Sequence, residues 1–93
     1  MRVVLNNKAD LPNKYIRKTL WKMYQLRDKF KKLQKAEIYF QKENPKRDEL
    51  TLVVQIGIPG KAATIKQKSN RNTIEKSINA AFWKAHRFLN KTK

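Results

Sequence analysis

The sequence predicts a two-layer α+β domain, β-α-β-β-β-α, with two helices packed on one face of a four-stranded, mainly antiparallel sheet. Three observations predict it. Apolar residues recur at helical spacing in two stretches, each with a single apolar stripe. Between those stretches the apolar period switches to two, as in half-buried strands. Finally, 93 residues with 40% hydrophobic content can fill one small core but not two, so both one-sided helices must share one sheet. The reading is one domain over residues 1–93, without repeats, low-complexity segments or internal boundaries.

The first strand is read at Arg2 to Leu5, a β-branched and aliphatic run bounded by Asn6-Asn7. Asp10-Leu11-Pro12 reads as a helix start, with Asp10 as cap and Pro12 in the first turn. The helix is expected to run to about Gln34. Tyr15, Ile16, Thr19, Leu20, Met23, Leu26, Phe30 and Leu33 fall within an arc of about 140° on its wheel. Ala36, Ile38 and Phe40 then alternate with polar neighbours to make the second strand. Asn44-Pro45-Lys46-Arg47-Asp48 is a polar connection. Leu50, Leu52, Val54, Ile56 and Ile58 form the clearest alternation in the chain. Pro59-Gly60 suits the centre of a type II turn, since Pro fixes φ and Gly accepts a positive one. Ala63, Ile65 and Gln67 predict a shorter strand, interrupted by Ser69-Asn70-Arg71-Asn72. Asn72 with Glu75 resembles a capping box for a second helix from Thr73 to Asn90. Ile74, Ile78, Ala81, Phe82, Ala85 and Leu89 line its buried stripe, with Phe88 at the edge and Lys91-Thr92-Lys93 as a fraying end.

Composition removes several function classes. Without cysteine there is no disulfide framework, thiolate metal site or cysteine nucleophile. His86 is the only histidine, so His-pair metal sites are out and no metal or other cofactor is expected. Glu43, Asp48 and Glu49 cluster at an exposed connection, where paired carboxylates keep ordinary acidity, and Gly57 and Gly60 do not make a phosphate-cradling loop. Neither catalysis nor a small-molecule substrate is expected. No apolar run approaches the ~18 residues of a membrane span, and the N-terminus turns polar too soon for a signal peptide. The expectation is a cytoplasmic protein with no membrane partner.

Charge points the other way, toward a polyanion. Lys and Arg number 23 against 7 Asp and Glu, a net charge of +16. Asp28 is the only acid between residues 11 and 36, a stretch dense in Lys and Arg. Ordinary solvated helix faces mix the two signs. With Met23 at the centre of the buried face, Lys14, Lys18, Lys22, Lys29 and Lys32 occupy one flank of the first helix. On the second helix Lys84 and Lys91 share a flank, while Lys76 and Arg87 lie opposite the core. Lys61, Lys66, Lys68 and Arg71 add charge on the last strand and the turn after it. Neutralising phosphates with such groups releases counterions, the main source of sequence-independent affinity. Trp21 and Trp83 both map away from the core beside basic residues, and Trp83 is read as a stacking or docking position. The RNA-binding set is therefore Lys14, Lys18, Lys22, Lys29, Lys32, Lys66, Lys68, Arg71, Lys76, Trp83, Lys84, Arg87 and Lys91.

Element order, length and charge together resemble the short ribosome hibernation-promoting factors, the family that includes the ribosome-associated translation inhibitor. Ser77-Ile78-Asn79 stands where that family has Ala-Ile-Asp. The chain from Lys84 to Lys93 follows its Lys-x-x-Arg-x-Leu-x-Lys-x-Lys ending. Gln25-Leu26-Arg27-Asp28-Lys29-Phe30 is similar to its Lys-Leu-x-x-x-Phe segment, and Leu52 to Gly60 fits its central hairpin. Gln25 and Asn79 depart from the pattern, and the dimerising extension of the long forms is not expected. The resemblance implies binding to small-subunit rRNA in the cleft for messenger and transfer RNA, so that idle ribosomes are blocked and preserved. It also implies RNA contacts from Lys18, Lys22, Lys29, Lys84, Arg87 and Lys91, by a protein that is a monomer off the ribosome.

Two other readings stand beside it. A double-stranded RNA-binding domain shares α-β-β-β-α order, but its Gly-Pro-x-His loop and Lys-Lys-x-Ala-Lys helix start are absent here. A structural ribosomal protein, or an adaptor holding protein through Trp21 and Trp83, would be constant in abundance, whereas a hibernation factor rises on starvation.

Overall fold

The computed structural model describes residues 2–44 and 48–91, so the predicted connection at Pro45 to Arg47 and the chain end at Thr92 and Lys93 lie outside the described residues. The element order is β1 (Arg2–Asn7), α1 (Asn13–Lys29), β2 (Lys35–Asn44), β3 (Glu49–Ile58), β4 (Lys61–Asn70) and α2 (Ile74–Lys91). The strands lie in chain order in one sheet. β1 pairs parallel with β2, and the other two pairings are antiparallel. The fold is the α+β arrangement that the two apolar periods predict.

One face of the sheet carries the core. Ala36, Ile38 and Phe40 of β2 and Leu52, Val54 and Ile56 of β3 are buried in register, and Ile65 of β4 joins them. Met23 and Thr19 of α1 and Ile78, Ala81 and Ala85 of α2 close over them without measurable exposure. Thr19 is tolerated there because its hydroxyl donates to the Tyr15 carbonyl at 2.7 Å, one turn back. On the opposite face Thr51 and Val53 are also buried, which the alternation alone did not indicate. Val53 sits in register between Tyr39 and Lys66, whose long side chains flank it.

The helix boundaries differ from the sequence expectation. α1 ends at Lys29 after 17 residues, well short of Gln34. Phe30 leaves the helix at φ −116°, ψ 93°, and a turn closed by the Leu33 amide on the Phe30 carbonyl follows. The sheet then claims the backbone: the Gln34 amide donates to Gly57 and the Gln34 carbonyl accepts from Arg2. Phe30 and Leu33 are buried as their spacing implied, but as part of a turn. Asp10 does not cap the helix; it takes a left-handed φ of 53°, while the Asn7 side chain clasps both the amide and the carbonyl of Leu11. Pro12 stands at the N-cap position, without a side-chain cap bond.

β4 is ten residues long, because Ser69 and Asn70 stay in the ladder opposite Leu50 and Glu49. The capping box is absent. Asn70 organises the turn instead, its side-chain oxygen accepting from the Asn72 amide and the Thr73 hydroxyl. The Pro59-Gly60 turn forms as expected, with Gly60 at φ 80°.

Candidate nucleic-acid interface

Both helices follow strands that run the same way, so α1 and α2 lie parallel on the sheet. Their contacts keep one offset: Lys18 meets Glu75 and Lys29 meets His86, each 57 residues apart. Residues spaced by three and four therefore face each other across a groove. The α1 wall carries Lys22, Gln25 and Lys29; the α2 wall carries Asn79, Trp83 and His86. Leu26 and Phe82, both buried, form the floor.

One end of the groove is closed by an ion pair. Lys18 Nζ lies 2.5 Å from Glu75 Oε1. That hydrogen bond and the ammonium charge hold the Glu75 carboxyl below the usual carboxylate range. The other end is organised by His86. Its ring meets Phe30 edge-on, with centroids 5.2 Å apart. An ammonium can only donate, so the Lys29 contact of 2.8 Å makes Nε2 the acceptor. The Asn90 carboxamide nitrogen lies 3.1 Å from the other ring nitrogen, Nδ1, so amide and ammonium hold the ring from both sides.

The outer surface of the helices holds the exposed aromatics. Trp83 is 58% exposed and Trp21 66%, so neither serves the core. The Arg87 guanidinium lies 4.8 Å from the Trp83 ring centroid, and Arg27 makes the same contact with Tyr24. Lys76, Trp83 and Arg87 recur at seven and four residues along one exposed stripe of α2. Lys14 is exposed at the start of α1, with its ammonium over Tyr15.

Not every predicted residue joins this surface. Lys32 lies in the turn beyond α1 and so leaves the helical strip. Lys84 leans to the β4 edge, donating to Gln67 at 2.9 Å. Lys66 and Lys68 alternate with the core-facing Ile65 and lie on the open sheet face, away from the helices. Arg71 is 3.4 Å from Asp48, in the turn after β4. Lys91 is exposed at the end of α2. The predicted set is thus divided, with Lys14, Lys18, Lys22, Lys29, Lys76, Trp83, Arg87 and, four residues after it, Lys91 on the helical side. The sequence reading missed Gln25 as a groove residue; an amide on the lysine flank was its only signal. Among the described residues no group of three His, Asp or Glu is placed to hold a metal ion. No helix among them is long and apolar enough to cross a membrane.

No protein-family model matches the chain, and no curated protein matches it. Solved structures do share its fold. A ribosomal subunit interface protein from Coxiella burnetii matches 99% of this chain and 97% of its own, with a TM-score of 0.78 at 16% identity. The N-terminal domain of Protein Y from Thermus thermophilus matches 95% of this chain and 99% of its own, with a TM-score of 0.55 at 14% identity.

Proposed function

We propose that this protein binds the ribosome, seating the outer face of α1 and α2 on small-subunit rRNA in the messenger and transfer RNA cleft. There it blocks translation and preserves idle ribosomes. The observation that carries the reading is the pair of parallel helices, rich in Lys and Arg, on the fold of a ribosomal subunit interface protein. Lys14, Lys22, Lys29, Lys76, Arg87 and Lys91 supply phosphate contacts, and each phosphate neutralised releases a counterion. Lys18 and Lys84 exchange Glu75 and Gln67 for phosphate on binding. Lys32, Lys66, Lys68 and Arg71 reach RNA only where the cleft wall wraps past the helices. Inhibition follows from occupancy, because a folded domain in the cleft excludes the RNAs that must pass through it.

A double-stranded RNA-binding domain fits less well, because β1 pairs with β2 along its whole length and that domain has no such strand. A structural ribosomal role is separated by abundance, which rises on starvation for a hibernation factor and stays constant for a component. The direct test is co-sedimentation with purified small subunits over a salt series, alongside translation in a reconstituted system. Saturable binding that weakens with salt, and inhibition that tracks it, is expected. Absence of sedimentation at low salt sinks the reading.

A further inference from the structure

We infer that the groove between α1 and α2 takes one unpaired RNA nucleotide, its base against Trp83 and its neighbouring phosphates on Lys22 and Lys29. The inference rests on the ribosome-binding reading for the source of the RNA, but the groove's chemistry argues for it separately. The floor is apolar, made by Leu26 and Phe82. Each wall carries one amide, Gln25 on α1 and Asn79 on α2, about one helical turn apart along the groove because the shared offset sets Asn79 across from Lys22; the lysines stand on the α1 wall. The carboxylates of an acidic peptide would need donors alone. Amides present a donor and an acceptor together, which is what the edge of a nucleobase requires.

Trp83 completes the slot. Arg87 lies over its ring, yet the residue stays 58% exposed, so the arginine leaves much of the indole open. Base–aromatic stacking uses such a surface and tolerates any base. The shape selects single strands. A duplex keeps its bases stacked and paired inside, so only an unpaired base can be laid against Trp83 and the groove. Asn79 and Gln25 are the two amides that line the groove and can read a base edge.

The test uses the full chain carrying Trp21→Phe, which leaves Trp83 as its only tryptophan. Two probes are titrated at matched salt: a short oligouridylate, and an abasic oligomer of the same length and charge. The oligouridylate is expected to quench Trp83 and to bind about 5- to 150-fold more tightly than the abasic oligomer. Trp83→Ala, followed with a labelled oligomer, should erase that ratio and Asn79→Ala should reduce it, both leaving the salt slope and melting temperature unchanged. Lys22→Gln should instead lower the slope by roughly 0.7, one single-strand phosphate contact. Equal affinity for the two oligomers overturns the inference, as does equal quenching by polyglutamate. If the base preference is absent while small subunits still sediment with the protein, the groove inference alone fails. A preference that persists without sedimentation supports the groove and counts against the ribosome.

Discussion

Glu75 shows how one side chain can be assigned to the wrong partner from sequence. Its place three residues after Asn72 suggested a capping box, but its carboxylate reaches across to Lys18, 57 residues away. Local spacing cannot report a partner that only tertiary packing supplies. The consequence is measurable. Lys18 holds the Glu75 carboxyl below its ordinary range, so the folded state binds that proton less readily than the unfolded chain. The ion pair therefore stabilises at neutral pH, and its contribution is lost as pH falls through the lowered value. Thermal melts of the wild type and Glu75→Gln should differ slightly at pH 7 and converge in acid; a gap that persists unchanged at low pH would contradict this. Tyr39 donates to Glu37 at 2.6 Å, which lowers the acidity range of the carboxyl and raises that of the phenol. That bond works between the two ranges: it is lost in acid as Glu37 protonates, and in alkali above the ordinary tyrosine value of 10.0 as Tyr39 ionises. Tyr39→Phe should flatten the alkaline limb of a stability profile that the wild type retains.

Among the elements, the strands and α2 were legible in the sequence to within a few residues, while the caps of both helices and the end of α1 were not. Alternation and helical stripes report burial, and burial is what tertiary packing conserves in space. Phe30 and Leu33 continued the helical stripe and are buried at 7% and 4%, yet they lie beyond the helix. The competing force was the sheet, which needs Gln34 for its backbone ladder with Gly57 and Arg2. The same reasoning gives a graded expectation for the core. Ile78 has no exposed surface and lies between α2 and the sheet, so Ile78→Ala should cost about 2–5 kcal/mol in chemical unfolding. Gly60 has open space around it but a φ of 80°, so Gly60→Ala should cost about 1 kcal/mol through backbone strain alone. Unfolding midpoints that rank the two in the reverse order would show that the turn, not the helix stripe, secures the fold.

At the scale of the whole molecule the basic charge is divided by the sheet. Sequence periodicity placed each lysine on its own element but could not say which side of the sheet that element would show. Lys22 and Lys29 stand with the helices, whereas Lys66 and Lys68 lie on the open face. The Cα envelope measures 42 × 20 × 19 Å, so the two faces are separated by the thickness of the domain. The Debye length is about 8 Å at physiological salt, well below that thickness. Phosphates seated on the helices are therefore screened from Lys66 and Lys68. Lys22→Gln with Lys29→Gln should reduce the log–log salt slope of ribosome binding by roughly 1.4–1.8, the value for two phosphate contacts. Lys66→Gln with Lys68→Gln removes the same formal charge and should leave the slope nearly unchanged. Net charge falls equally in the two double variants, so a difference between them isolates position from total charge. Equal reductions would place RNA on both faces at once and replace the one-sided helical interface with an enclosing one.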